Sequence, residues 1–103
     1  MQFDWDDANR DHIALHGIEP EEAEDAVLDE FALDFPAHRG PNSERRFGVL
    51  GRVNKNLILV VILEEATMPA GASYGQERGD KIRVITARAA EKKERIYYEK
   101  TNH

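Results

Sequence analysis

The sequence predicts one α+β domain: two N-terminal helices, a mainly antiparallel sheet of about four strands and a C-terminal helix. Three observations predict it. Helix-start residues followed by helical spacing fill the first 30 residues. Alternating apolar positions and one unbroken apolar run occupy the middle. The last quarter passes straight from strand period to helix period. With 103 residues, 41% of them hydrophobic, the chain can bury one core. No repeat or interdomain linker divides it.

Residues 2–5 read as a short strand or a docking segment. Asp6 or Asp7 can cap a helix running to about His16, where Gly17 supplies a stop. The inward side of that helix is expected to carry Ala8, His12, Ile13 and Leu15, helped by Trp5. The second helix is better marked: Ile18 as N′, Glu19 as the cap, Pro20 at N1 and Glu22 at N3. Ala23, Ala26 and Val27 form its apolar stripe, and it is expected to end near Asp29.

Phe31, Leu33 and Phe35 alternate with Ala32 and Asp34, a strand stopped by Pro36. Residues 37–42 read as a loop around Gly40 and Pro41. Residues 45–53 alternate as a strand, with Phe47, Val49, Gly51 and Val53 on one face and Arg46, Gly48, Leu50 and Arg52 on the other. Residues 54–56 turn the chain. Residues 57–63 are apolar throughout and predict a central strand buried on both faces. Residues 65–79 hold Pro69 and three glycines and read as a long mobile loop.

Residues 81–98 begin as a strand and end as a helix. Ile82, Val84 and Thr86 alternate with Arg83, Ile85 and Ala87. Beyond Ala89 the helical period takes over, with Glu91 and Arg95 at the spacing of a favourable ion pair. The stretch is basic in an acidic chain. The net charge is −6. Residues 1–30 carry eleven acids against Arg10, whereas residues 78–100 carry eight Lys/Arg against four acids. The acidic total argues against indiscriminate nucleic-acid binding but permits a local basic cleft.

Several chemistries are excluded or weak. There is no cysteine, so disulfides, thiolate metal sites and a thiol nucleophile are out. Ser43 and Ser73 lie in expected loops without an elbow sequence, and no phosphate-binding glycine loop opens a helix. His12 and His16 stand four apart, as two zinc ligands could, but spacing suggests no third ligand. A surface or capping imidazole is the simpler reading, and neither metal nor cofactor is called for. No apolar run spans a bilayer, and the acidic start does not resemble a signal peptide. A cytoplasmic protein is expected.

The arginines are more informative. Strand parity sets Arg83 beside Ile85 and Ala87, and Arg52 beside Leu50, so these guanidinium groups are expected to be partly buried and to need an anionic partner. Glu44, Glu94 or an RNA phosphate would serve. RNA carries its own nucleophile, the 2′-hydroxyl. A protein that cleaves it has only to align that group, move protons and stabilise charge on the phosphate. Tyr97 or Tyr98 could stack on a base or pack on the sheet.

Taken together, certain segments resemble the BrnT family of bacterial type II toxins. They are Phe3-Asp4-Trp5-Asp6, His16-Gly17-Ile18 with Glu21-Glu22-Ala23, Glu44-Arg45-Arg46-Phe47 with Gly51, the apolar residues 57–62, and Ile82-Arg83-Val84-Ile85-Thr86-Ala87-Arg88 followed by Glu94 and Tyr97-Tyr98. The resemblance implies a RelE-like fold and a metal-independent endoribonuclease that arrests translation. It implies neutralisation by a BrnA-type ribbon-helix-helix antitoxin, which makes the DNA contacts, as a toxin–antitoxin hetero-oligomer or with the toxin as a homodimer. Carried over by position, His16, Arg83, Arg88, Glu94 and Tyr97 are the candidate catalytic residues, and Arg52, Lys92 and Arg95 the candidate RNA-binding ones. Many members carry Asn and Lys ahead of the His-Gly pair, where this chain has His12 and Leu15. The alternative reading is a catalytically inactive module that binds an antitoxin-like DNA-binding partner and acts in autorepression.

Overall fold

The computed structural model describes residues 2–63 and 81–102. Its elements are β1 (Gln2–Asp4), α1 (Asp7–Ala14), α2 (Pro20–Val27), β2 (Leu33–Pro36), β3 (Arg46–Val53), β4 (Asn56–Leu63), β5 (Lys81–Ala89) and α3 (Lys92–Thr101). The expected loop over residues 65–79 lies outside the described residues.

The architecture is α+β, with five strands rather than four, in the order β1-β5-β4-β3-β2. The added strand is residues 2–4, which pair in parallel with β5, Phe3 opposite Ile82. The other neighbours are antiparallel. β4 is the middle strand, with buried side chains on both its faces. Ile58, Val60 and Ile62 join Val49, Val84 and Ala87 in a core beneath α1 and α2, while Leu57 and Leu59 join Leu50, Ala90 and Tyr98 on the opposite face. Burying each such aliphatic side chain contributes about 1.5–3 kcal/mol.

The helix starts follow the sequence closely. Asn9 Oδ1 accepts from the Asp6 N–H at 2.8 Å, and Asp6 Oδ1 accepts from the Asn9 N–H at 3.1 Å, a reciprocal cap on α1. Glu22 reaches back to the Glu19 N–H at 3.0 Å, with Pro20 opening α2. Gly17 follows α1 at φ +74°, where a side chain would be strained. The helices end earlier than expected, α1 at Ala14 and α2 at Val27. Alternation mislocated the edge strand too: β2 starts at Leu33 and includes Pro36, which an edge tolerates.

The inward side of α1 differs from expectation. Ile13 is buried, but Ala8 and His12 are exposed and Leu15 is 83% exposed. The other buried residue is Asn9, whose Nδ2 donates to the Asp4 carbonyl (2.9 Å) and the Val84 carbonyl (3.0 Å). One polar side chain thus ties β1, α1 and β5 together. A hydrophobic pattern cannot show this, because the buried group is an amide.

The parity of β5 also changes. Val61 pairs with Thr86 and Ile62 with Val84, so Ile85 is an extra residue, a bulge. It flips every side chain beyond it. Ala87 therefore lies with Val84 on the core beneath α1 and α2. Arg83, five positions before Arg88, would face the other way in a regular strand; the bulge changes that relation, with Arg88 on the face that α3 crosses and Arg83 at the β1 edge against Asp6, the cap of α1. The expected grouping of Arg83 with Ile85 and Ala87 is corrected accordingly.

Candidate active site

The face away from α1 and α2 is only partly roofed. α3 crosses it, and beside the first turn of α3 a cleft of about 360 Å³ remains open. β5 supplies Arg88 to it, β3 supplies Arg46, α3 supplies Lys93, and the segment after β2 supplies His38 and Arg39. Among the described residues, Glu91 and Glu94 are the acids on its wall.

Arg88 and Glu94 form the firmest contact. Nη1 donates to Oε1 and Nη2 to Oε2, each at 2.8 Å. Glu94 is 1% exposed, and its Oε1 also accepts the Glu91 N–H at 2.7 Å, closing the start of α3. The Arg88 hydrogen bonds hold the Glu94 carboxyl below the usual range, against the effect of burial. The same pair raises the pKa of Arg88. Glu94 is therefore an ionised, fully bonded carboxylate that fixes a guanidinium, whose remaining edge can meet an anion.

Arg46 differs. Its Nη2 lies 3.3 Å from Glu44 Oε1, and its Nε is buried with no hydrogen-bond partner among the described residues. A buried, unpaired donor is costly and calls for an explanation. Arg39 is held by its own loop, Nη1 donating to the Ser43 carbonyl at 2.9 Å. His38 and Lys93 are exposed.

The sequence-derived candidates fall in several places. Arg88 and Glu94 stand together in the cleft. Tyr97 is at its margin, edge-on to Phe35 with ring centres 5.6 Å apart, and Phe35 lines the cleft. Arg83 lies at the β1 edge, 2.9 Å from Asp6 Oδ2 and 3.7 Å from Asp4 Oδ2. Arg52 pairs with Glu99 at 2.9 Å and stacks over Tyr98 at 5.1 Å. Lys92 is exposed at the start of α3. His16 and Arg95 line a separate cavity. The expected Glu91–Arg95 side-chain pair is replaced by a bond from Arg95 Nη1 to the Ala90 carbonyl, 2.9 Å. His12 and His16 rings are 5.9 Å apart, and among the described residues no three His, Asp or Glu side chains group as metal ligands.

His38 and Arg39 were not singled out by the sequence reading, and Arg46 appeared only within a motif and in the strand alternation. The one available sign was Arg46 sharing a strand face with Leu50 and Arg52. His38 and Arg39 sit in a loop that only the sheet order brings opposite β5.

The model of the family described as ribonuclease toxin, BrnT, of type II toxin–antitoxin system matches residues 5–94. The chain belongs to the BrnT family. That match contains every residue named in the cleft, from Phe35 to Glu94. No curated protein matches the chain. Membership makes it a ribonuclease toxin of a type II toxin–antitoxin system, with an antitoxin as partner. Among the described residues of this BrnT-family chain, no helix is long and apolar enough to cross a membrane.

Proposed function

We propose that the cleft between α3 and the loop after β2 is a metal-independent endoribonuclease site, on a RelE-like scaffold, and that the protein arrests translation by cleaving RNA in the bacterial cytoplasm. The observation that carries this is a cleft that Arg46, whose buried Nε has no partner among the described residues, shares with Arg88, Arg39, Lys93 and His38. Such a surface suits a phosphate, since guanidinium groups present fixed donors to its oxygens.

In this reading the His38 imidazole takes the proton of the 2′-hydroxyl. The 2′-oxygen attacks phosphorus, forming a P–O2′ bond, and the P–O5′ bond breaks. The 5′-oxygen leaves with a proton from water in the open cleft. Arg46 and Arg88 bear the charge that grows on the phosphate oxygens. Glu94 positions Arg88 and is too firmly ionised for proton work. Tyr97 is placed to stack on a neighbouring base. The carried-over roles of His16 and Arg83 have less support: His16 lies in another cavity, and Arg83 is occupied by the two aspartates.

A BrnA-type ribbon-helix-helix antitoxin is the proposed partner, with DNA reached only through it. The acidic residues 1–30 suit a basic partner segment.

The test is cleavage of a single-stranded RNA by purified protein in excess chelator. The expected products end in a 2′,3′-cyclic phosphate and a 5′-hydroxyl, and a 2′-deoxy residue at the cleaved position blocks the reaction. A requirement for divalent metal, or 5′-phosphate products, would overturn the mechanism. Intact RNA would leave the binding-module reading.

A further inference from the structure

A second cavity, of about 370 Å³, lies on the other side of the β5–α3 junction. It gathers His16 from the turn between α1 and α2, Lys55 from the turn between β3 and β4, and Arg95 from α3. Its floor includes Ile18, Leu57 and Ala90, all buried. Asn54, at φ +56°, makes the tight turn that presents Lys55. Arg95 is held by the Ala90 carbonyl, and among the described residues neither Arg95 nor Lys55 pairs with a carboxylate. Glu22 is the one acid among the described residues lining the cavity, and its Oε1 is taken by the Glu19 N–H.

The two cavities flank the β5–α3 junction. Arg88 belongs to the first, and Ala89 and Ala90, the next two residues, line the second. Two residues of extended chain cover about 7 Å. Lys93 and Arg95, in the first turns of α3, face the first and second cavities respectively.

We infer that the second cavity is an RNA subsite for a nucleotide flanking the cleaved linkage. A base lies on the apolar floor, and Lys55 and Arg95 hold the adjoining phosphate. The inference rests on the first cleft being the ribonuclease site. An apolar floor beside fixed cations suits an unstacked base and its backbone, so the ligand is single-stranded RNA rather than duplex. Its adjacency to the cleft favours RNA over an acidic peptide.

The test is binding of 2′-O-methyl RNA, which lacks the free nucleophile and so reports affinity whether or not the protein cleaves. Fluorescence anisotropy compares a trinucleotide with a decanucleotide. Wild type is expected to bind the decanucleotide about tenfold tighter, the scale of one stacked base. Lys55→Ala/Arg95→Ala is expected to lose that gain, leave trinucleotide affinity unchanged, and reduce the salt slope by about 0.7 for the one phosphate no longer held. Unchanged decanucleotide binding, or equal weakening of both oligonucleotides, would overturn the subsite. So would an acidic peptide whose binding the double variant abolishes while RNA binding persists. Arg39→Ala and Arg46→Ala test the cleft separately: trinucleotide affinity indifferent to both refutes the cleft and leaves the length dependence to judge the second cavity.

Discussion

Arg88 and Glu94, six residues apart across the junction of β5 and α3, meet end-on through two hydrogen bonds of 2.8 Å, from Nη1 and Nη2. The pair joins strand to helix, caps the helix through Glu91, and sets the guanidinium at the edge of the cleft. Stability and the proposed chemistry therefore draw on the same two side chains.

Glu94→Ala strands a partly buried guanidinium and an uncapped helix start. The expected loss is about 3 kcal/mol in urea unfolding, the lower end for breaking a buried ion pair, because Arg88 keeps some contact with water. Glu94→Gln retains an acceptor for the Glu91 N–H and should lose less. The sign of the pH dependence follows from the lowered pKa of Glu94. The unfolded chain takes up the proton at higher pH than the folded one, so the contribution is full above about 4.5, the ordinary value, and disappears as pH falls through the folded value. The Gln variant should lose less stability on acidification in that window than wild type does. Asp6 and Asp29 are lowered too and keep part of the slope. Parallel acid-denaturation curves for the two proteins would refute the assignment.

His38→Ala tests the chemistry. Loss of a general base typically costs about 10²–10⁴ in rate. The expected result is that fall in kcat with thermal stability unaltered, since His38 is an exposed loop residue. A variant with full activity would move the proton transfer elsewhere.

Most of the scaffold was legible, and the reasons are local. Cap residues at Asp6, Glu19 and Gly17 act within one turn, and an unbroken apolar run such as residues 57–63 has few places to go but a middle strand. The site was less legible because it depends on long-range placement. Arg88 and Glu94 were candidates through the motif they share, and the fold sets them side by side in the cleft. The Ile85 bulge, which decides which face Arg83 and Arg88 occupy, has no signature in a run of alternating apolar residues. Asn9 went unnoticed because a buried amide looks like a surface residue until its two carbonyl partners are in place. His38 and Arg39 enter the cleft only because β2 folds back on β3.

Tyr98 and Asp29 give a second latch. The Tyr98 hydroxyl donates to Asp29 Oδ2 at 2.7 Å, and the same oxygen accepts the Arg52 N–H at 2.8 Å. Burial and the Asp29 carboxylate raise the tyrosine pKa. Tyr98→Phe removes one hydrogen bond to a charged acceptor, at an expected cost of about 1.5–2 kcal/mol by chemical denaturation. Asp29→Ala should cost more, because it leaves the Arg52 N–H and the buried hydroxyl without their acceptor. If both variants unfold with the wild-type midpoint, the Tyr98–Asp29 contact does not help to hold α3.

Gly51 decides how closely α2 can approach the sheet. It pairs with Ile58 in the middle of the β3–β4 ladder. A Cβ there would overlap the Ala26 carbonyl oxygen and come within 2.6 Å of its carbon, backbone atoms that cannot rotate away. Ala23 and Ala26, both fully buried, show the same demand from the helix side, where small residues let α2 lie close on β3. Gly51→Ala is therefore expected to force α2 outward and cost on the order of 3 kcal/mol, at the upper end for overpacking. The decisive measurement is hydrogen exchange. Amides of α2 and of β3 around Gly51 should lose protection together, whereas those of α3, on the opposite face, should be affected least. Loss spread evenly over all elements would mean that the close contact does not confine the strain to one face of the sheet.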